Sequence, residues 1–243
     1  MKRVWEAVRS ALLWTVTLLH FFSAVPILIF LAIFLDPRKH DWLQRALCRR
    51  IAFFSGARVV ARLSPGFDPQ RTSFFVVNHV NLFDPFLMYC VIPQYVRGWE
   101  LESHFKIPVY GWLMHRFGNV PVPDVRRPAD LKRMWRMTRE ALDGGTSLII
   151  FPEGKRTRNG HLNAFEDGGF RLAMQMGVPI VPVSLVGSFQ HFRTGHWLLR
   201  PGTVTIVLHD TIDTAGLKKE DVPALRDRVR EIIKAPLEEI DEA

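Results

Sequence analysis

Ser73-Phe74-Phe75-Val76-Val77 runs into Asn78-His79-Val80-Asn81-Leu82-Phe83-Asp84, and Pro85-Phe86-Leu87-Met88-Tyr89 follows. The first five residues are apolar and β-favouring, which predicts a buried strand. The run after Asp84 predicts a helix, with Asp84 as its N-cap and Pro85 at the first helical position. A histidine therefore leaves the end of a strand, and a carboxylate five residues on sits at a helix start. So placed, the carboxylate accepts a hydrogen bond from one imidazole nitrogen, fixes the tautomer and leaves the other nitrogen free as a base. No serine or cysteine lies between residues 78 and 84 to act as a nucleophile, so the base would activate a hydroxyl on a substrate. Taken alone, the pair is more readily a helix cap beside a turn histidine, because both residue types favour turns.

The flanking sequence repeats the strand-then-helix alternation. Towards the C-terminus, Ile107 to Met114 predicts a short helix ending near Gly118. Gly118-Asn119-Val120-Pro121-Val122-Pro123 is strand-like, with prolines that confine it to an edge or a strand end. Pro128 to Leu142 predicts a helix with an apolar stripe at Leu131, Met134, Trp135, Thr138 and Leu142, closed by Gly144-Gly145. Thr146 to Phe151 is a buried strand, and Phe151-Pro152-Glu153-Gly154-Lys155-Arg156-Thr157-Arg158 a cationic loop at its end. Val178 to Val186 and Thr203 to Leu208 are further strands, and Asp221 to Ala235 is a closing amphipathic helix. Strands alternating with helices predict an α/β domain whose mixed, largely parallel sheet is flanked by helices.

Towards the N-terminus the reading changes. Ala11 to Leu35 carries no charged residue, and about 20 apolar residues suffice to span a bilayer core. The run exceeds the roughly 7–15 apolar residues of a signal peptide, and no small-x-small site follows. Pro26 lies inside it, where it would kink a helix or turn it into a re-entrant hairpin. Basic residues flank both ends. Asp41 to Phe54 is amphipathic, with Trp42, Leu43, Ala46, Leu47, Ile51 and Phe54 on one face and arginines on the other. It is expected to link the anchor to the domain along the membrane surface. Residues 1–55 are thus expected to form a membrane-anchoring helical region and 56–243 the catalytic domain.

Composition agrees. Lys and Arg outnumber Asp and Glu by 32 to 24, a net charge of +8 that suits a membrane surface or a phosphorylated substrate. A nucleic-acid binder would leave Ala11–Leu35 without a role. Cys48 and Cys90 have neither metal-ligand nor C-x-x-C spacing, so no disulfide framework and no zinc site are expected. In the 151–158 loop, Arg156 suits a phosphate through paired N–H donors. Glu153 would orient that arginine or meet a substrate hydroxyl, and Gly154 would let backbone approach closely. A phosphate-binding Walker loop is excluded, since its first glycine falls on Ile149 and its Ser/Thr on Arg156.

Four segments in this order resemble the lysophosphatidic acid acyltransferase (1-acyl-sn-glycerol-3-phosphate acyltransferase) family over roughly residues 40–235. Asn78-His79-x4-Asp84 matches its first motif, and Gly118-Asn119-Val120-Pro121-Val122 looks like its second. Phe151-Pro152-Glu153-Gly154 with Arg156 looks like its third, and Val178-Pro179-Ile180-Val181-Pro182 its fourth. The resemblance implies acyl transfer from a thioester, acyl-CoA or acyl-carrier protein, to a lysophospholipid hydroxyl, with no cofactor and no metal. It implies His79 as general base and Asp84 as its partner. It implies Asn78, Gly118, Asn119, Arg126, Glu153, Gly154, Lys155, Arg156 and Pro182 on the substrate side. The membrane lipid bilayer is the expected partner, with the catalytic domain on the cytoplasmic face. Two positions depart from the pattern. Asp124 stands where the second motif usually ends in arginine, with Arg126 and Arg127 just beyond, and Lys155 replaces the usual threonine. Both departures bear on the acceptor headgroup, so a different lysolipid, such as a lyso-aminolipid, is the alternative.

Overall fold

The computed structural model describes residues 1–241. Its centre is a seven-stranded sheet in the order β1-β7-β6-β2-β5-β3-β4. The strands are β1 (Ala57–Leu63), β2 (Phe74–Val77), β3 (Val96–Leu101), β4 (Val120–Val122), β5 (Ser147–Ile150), β6 (Ile180–Val186) and β7 (Gly202–Leu208). Every pair is parallel except β6 with β7. All four residues of β2 are buried, as its unbroken apolar run requires of a strand covered on both faces. Pro121 of β4 sits at the sheet's edge, where a missing N–H costs no ladder bond.

Helices cover both faces. On one side, α1 (Lys2–Phe34), α2 (Asp41–Phe54) and α3 (Asp84–Val91) pack against Phe75, Val77, Val183 and Ile206. On the other, α5 (Pro128–Asp143), α6 (Gly168–Met176) and α8 (Val222–Asp241) pack against Phe74, Val76, Leu148 and Ile180. Two shorter helices, α4 (Tyr110–Phe117) and α7 (Ser188–His191), complete the set. Alternate residues of β2 thus feed two separate cores, the period-2 rule for a strand.

Several expectations are corrected. α1 is one unbroken helix through Pro26, not a hairpin, and at about 1.5 Å per residue it is roughly 50 Å long. It is long and apolar enough to cross a membrane. It also docks on the domain: Ser10 Oγ bonds the Leu199 carbonyl, and Trp14 Nε1 donates to the Trp197 carbonyl at 2.7 Å. α2 is no surface linker, since Leu47, Cys48, Ile51 and Ala52 are buried in the first core. Trp135 lies on the exposed side of α5 rather than in its stripe. Three elements escape the sequence reading. β3 holds a fully buried arginine, Arg97, in place of an apolar residue. α6 opens on Gly168-Gly169, which resembles a turn. Gly169 lets α6 approach β5 closely, since a Cβ there would lie 2.5 Å from Ile150 Cδ1 and push that side chain aside. α7 is only four residues long.

Candidate active site

The sheet places the ends of β2, β5 and β6 side by side, and the chain leaves β2 for α3 on one face and the neighbouring β5 for α6 on the other. Such a switch point is the usual ligand crevice of an open α/β sheet. His79 stands two residues beyond β2, and its side chain is 21% exposed. Its Nδ1 lies 2.8 Å from Asp84 Oδ2. Asp84 is fully buried and is not the N-cap: Phe83 holds that position, and Asp84 is the first helical residue of α3. From there its carboxylate reaches back over the turn. Oδ2 also accepts the N–H groups of Val80 at 2.6 Å and Asn81 at 2.8 Å, and Oδ1 accepts from Ser188 Oγ at 3.1 Å. A buried carboxylate so surrounded has hydrogen bonds for both oxygens, which offsets its desolvation.

With Asp84 accepting, Nδ1 carries the proton and Nε2 presents its lone pair. Nε2 has no hydrogen-bond partner among the described residues. The imidazole stacks on Phe151 at 4.1 Å between centroids, 21° from parallel, so one of its faces is dry. The main chain of His79 is held as firmly as its ring. Its N–H donates to Glu153 Oε1 at 2.7 Å, and its carbonyl accepts from Thr157 N at 2.9 Å. Asn81 braces the turn, with Nδ2 donating to the carbonyls of Ser188 and Phe192 and Oδ1 accepting from Phe83 N.

The expected substrate-side residues divide into two groups. Gly154, Lys155 and Arg156 are exposed at the end of β5, and neither side chain of Lys155 and Arg156 pairs with another described residue. Gly154 has φ +65°, a left-handed turn that favours glycine, with Glu166 Oε1 3.1 Å from where a Cβ would stand. Glu166 also ion-pairs with Arg126, which brings Arg126 to the same turn. These cations and the His79 ring share one end of the sheet.

The second group is committed to the framework. Glu153 is buried, and its second oxygen accepts both the N–H and the side-chain amide of Asn163 at 2.8 Å. Burial pushes its carboxyl above the ordinary value, against the hydrogen bonds from His79 and Asn163. It positions the His79 backbone and forms no ion pair with Arg156. Asn78 ties β2 to β6 through Leu185 N and O. Beside it, between residues 159–161 and α7, lies a cavity of about 410 Å³. Pro182 is buried within β6 opposite Val76, short of the strand's end. Gly118 is the left-handed cap of α4, and Asn119 Oδ1 accepts from Gly98 N at 2.9 Å. Val120 pairs with Trp99, so Gly118 and Asn119 enter the sheet several residues short of the row that carries His79. Asp124, at the usual arginine position, accepts Ser103 N and Oγ at 2.8 Å and caps the turn after β3.

Ser188, Asn163 and Glu166 were beyond sequence reasoning, since they reach Asp84, Glu153 and Arg126 from loops distant in sequence. Phe151 did carry a signal, as the apolar residue closing its strand. Among the described residues, no group of three or more His, Cys, Asp or Glu is arranged to hold a metal ion.

A half-buried histidine on a buried aspartate, at the strand ends of an α/β sheet and beside unpaired cations, is the arrangement of an α/β enzyme that activates a hydroxyl by general base. The profile of the family described as Acyltransferase matches residues 43–186, and the chain belongs to that family. It is 31% identical over 203 residues to the 1-acyl-sn-glycerol-3-phosphate acyltransferase alpha of Ovis aries, covering 82% of this chain and 69% of that one. It is 31% identical over 168 residues to a 1-acyl-sn-glycerol-3-phosphate acyltransferase of Chlamydomonas reinhardtii, covering 68% of this chain and 49% of that one. The chain thus spans about half the length of the algal protein, and less of the chloroplast relatives it also matches. The crystal structure of the 1-acyl-sn-glycerophosphate acyltransferase from Thermotoga maritima has the same fold, with a TM-score of 0.78 at 23% identity, covering 100% of this chain and 99% of that one.

Proposed function

We propose that the chain transfers an acyl group from a thioester to the free hydroxyl of 1-acyl-sn-glycerol-3-phosphate, giving phosphatidic acid. The observation that carries this is the His79 Nδ1–Asp84 Oδ2 bond of 2.8 Å, which leaves Nε2 unpartnered. Nε2 takes the proton of the acceptor hydroxyl as its oxygen attacks the thioester carbonyl carbon. The C–S bond then breaks, and the thiolate recovers the proton from the imidazolium. Asp84 stabilises that imidazolium while it lasts. Arg156, Lys155 and Arg126 are the groups to hold the acceptor phosphate, with Arg126 replacing the arginine that Asp124 displaces. Acyl-CoA and acyl-carrier protein are the two donors this reading allows. α1 anchors the chain in the membrane, and the rest, with α2 in its core, forms the catalytic domain on the cytoplasmic face, where thioesters are made.

An acyl-transfer assay on the purified protein, with a panel of lysolipid acceptors and both donor types, tests this. The expected product is phosphatidate, and His79→Ala is expected to abolish it without loss of helical signal. Near-normal turnover by His79→Ala would remove His79 from the chemistry. Transfer only to a lysolipid without a phosphate monoester would move the acceptor to the lyso-aminolipid class.

A further inference from the structure

The connection from β3 to α4 carries apolar side chains that the protein itself leaves uncovered. Ile107 is 50% exposed, Val109 60%, Tyr110 38% and Trp112 43%. Four such residues within six positions make a patch rather than a scatter, and a patch marks an interaction surface. Val109 stands at its tip with φ +66° and ψ −52°, while Tyr110 N–H bonds the Pro108 carbonyl at 2.7 Å. This is the γ-turn with a positive central φ, which is strained and strongly disfavoured for a β-branched residue. Glycine or asparagine would relieve the strain at a tip that faced water.

The patch has a fixed place in the molecule. It follows the carboxyl end of β3, the same end of the sheet as His79. α4 grows out of it and packs directly on α1 through Leu113, Phe117 and Ala32. Arg116 reinforces that contact, with Nε donating to the Ala32 carbonyl at 2.7 Å and Nη2 to the Leu35 carbonyl at 2.9 Å. The same part of α1 leaves Ile27, Phe30, Ile33 and Phe34 between 56% and 70% exposed. The patch is therefore held next to the free apolar side of α1.

We propose that residues 107–112 insert into the bilayer as a second contact beside α1, setting the mouth of the His79 site against the layer from which a lipid acceptor arrives. This rests on the membrane-acyltransferase reading above. The occupant is lipid because the patch continues the apolar side of α1. Its composition also fits: Tyr110 and Trp112 are the residue types that favour the interface, and exposed Lys106 complements anionic headgroups.

Spin labels placed one at a time at Ile107→Cys, Val109→Cys and Phe30→Cys, in a Cys90→Ser background, test this in the full chain. The protein is reconstituted into vesicles of phosphatidylcholine with phosphatidylglycerol. Power saturation then compares access of oxygen, which partitions into lipid, with access of a water-soluble nickel chelate. The expected result is oxygen exceeding chelate at 107 and 109 as at 30, with the reverse at a label on Lys219→Cys. Chelate-dominated access at 107 and 109, with position 30 in lipid, overturns this inference and leaves the anchor intact. Chelate-dominated access at all three overturns both. A second variant, Ile107→Asp/Val109→Asp, is expected to raise KM at least fivefold for acceptor in vesicles. It should change turnover of a short-chain, monomeric acceptor less than twofold, and equal effects on both would also overturn the inference.

Discussion

At the scale of the residue, the site turns on how many donors Asp84 collects. Four groups point at its two oxygens: His79 Nδ1, the N–H groups of Val80 and Asn81, and Ser188 Oγ. The two backbone donors close a turn that would hold Asp84 in place even without the histidine. The side chain is thus a fixed acceptor to which the imidazole conforms. Asp84→Asn keeps the size, and its amide oxygen takes the Oδ2 place because the N–H groups of Val80 and Asn81 point there. His79 keeps its tautomer, but the negative charge that stabilises the imidazolium is gone. The expected loss is on the order of 10²–10⁴ in kcat with little change in KM, read from initial rates and circular dichroism. Ser188→Ala removes only one donor to Oδ1 and should cost roughly tenfold or less, with Thr restoring most of it. An Asp84→Asn enzyme within tenfold of the parent would show that the carboxylate's charge does not stabilise the imidazolium. His79 and Asp84 were legible because five residues separate them. Ser188 was not, because 104 residues do, and only the fold closes that distance.

At the scale of the element, Asp41 and Arg97 join parts that the sequence presents as unrelated. Asp41 opens α2 and accepts from Arg45 Nε at 2.5 Å and from Arg97 Nη1 at 3.2 Å. Arg97, fully buried in β3, also gives Nε to the Phe117 carbonyl at 2.6 Å and Nη2 to Tyr95 Oη at 2.7 Å. Its guanidinium lies 4.0 Å over the Tyr95 ring. One cation thus links α2, β3 and α4. Removing the carboxylate with Asp41→Ala strands a buried charge and is expected to destabilise the fold by about 3–5 kcal/mol. Asp41→Ala/Arg97→Met should cost clearly less than the two single changes summed. Denaturant unfolding in detergent micelles measures both, and a loss under about 1 kcal/mol for Asp41→Ala would mean that water reaches Arg97. β3 was not legible because two charges, Arg97 and Glu100, and Gly98 interrupt its apolar run. α2, read as a membrane-surface linker, is a core helix, and one of its three arginines, Arg45, is spent on Asp41 and the carbonyls of Tyr89, Ile92 and Gln94. β2 was legible because its burial is written as four uninterrupted aromatic and β-branched residues, and β6 and β7 because β-branched residues dominate them.

At the scale of the whole molecule, two histidines link the halves of the sheet to pH. His191 closes α7, with Nδ1 2.9 Å from the Arg200 carbonyl and Nε2 3.2 Å from Ser55 Oγ, at the junction of α2 and β1. His209 follows β7, with Nε2 2.9 Å from Ser184 Oγ in β6. Burial holds both below the ordinary imidazole value, against an opposing pull from the Arg200 carbonyl on His191 and from Asp210 on His209. The folded state therefore binds these protons less readily than the unfolded chain. Between the depressed folded values and about 6.5, the unfolded state holds more protons, so stability rises with pH and falls as pH drops through that window. Each histidine contributes at most about 1.4 kcal/mol per pH unit. Glu153 acts in the opposite sense: its raised carboxyl loses stability as pH climbs above the ordinary carboxylate value. The separation is made by comparing variants. His191→Gln and His209→Gln, each unfolded by denaturant at pH 5.5 and pH 7.5, should show a smaller difference between the two pH values than the parent does. Parallel pH dependence in the parent and both histidine variants would place the acid sensitivity elsewhere. No pattern in the linear sequence marks these histidines, because their depressed proton affinity comes from the shell that the sheet assembles around them.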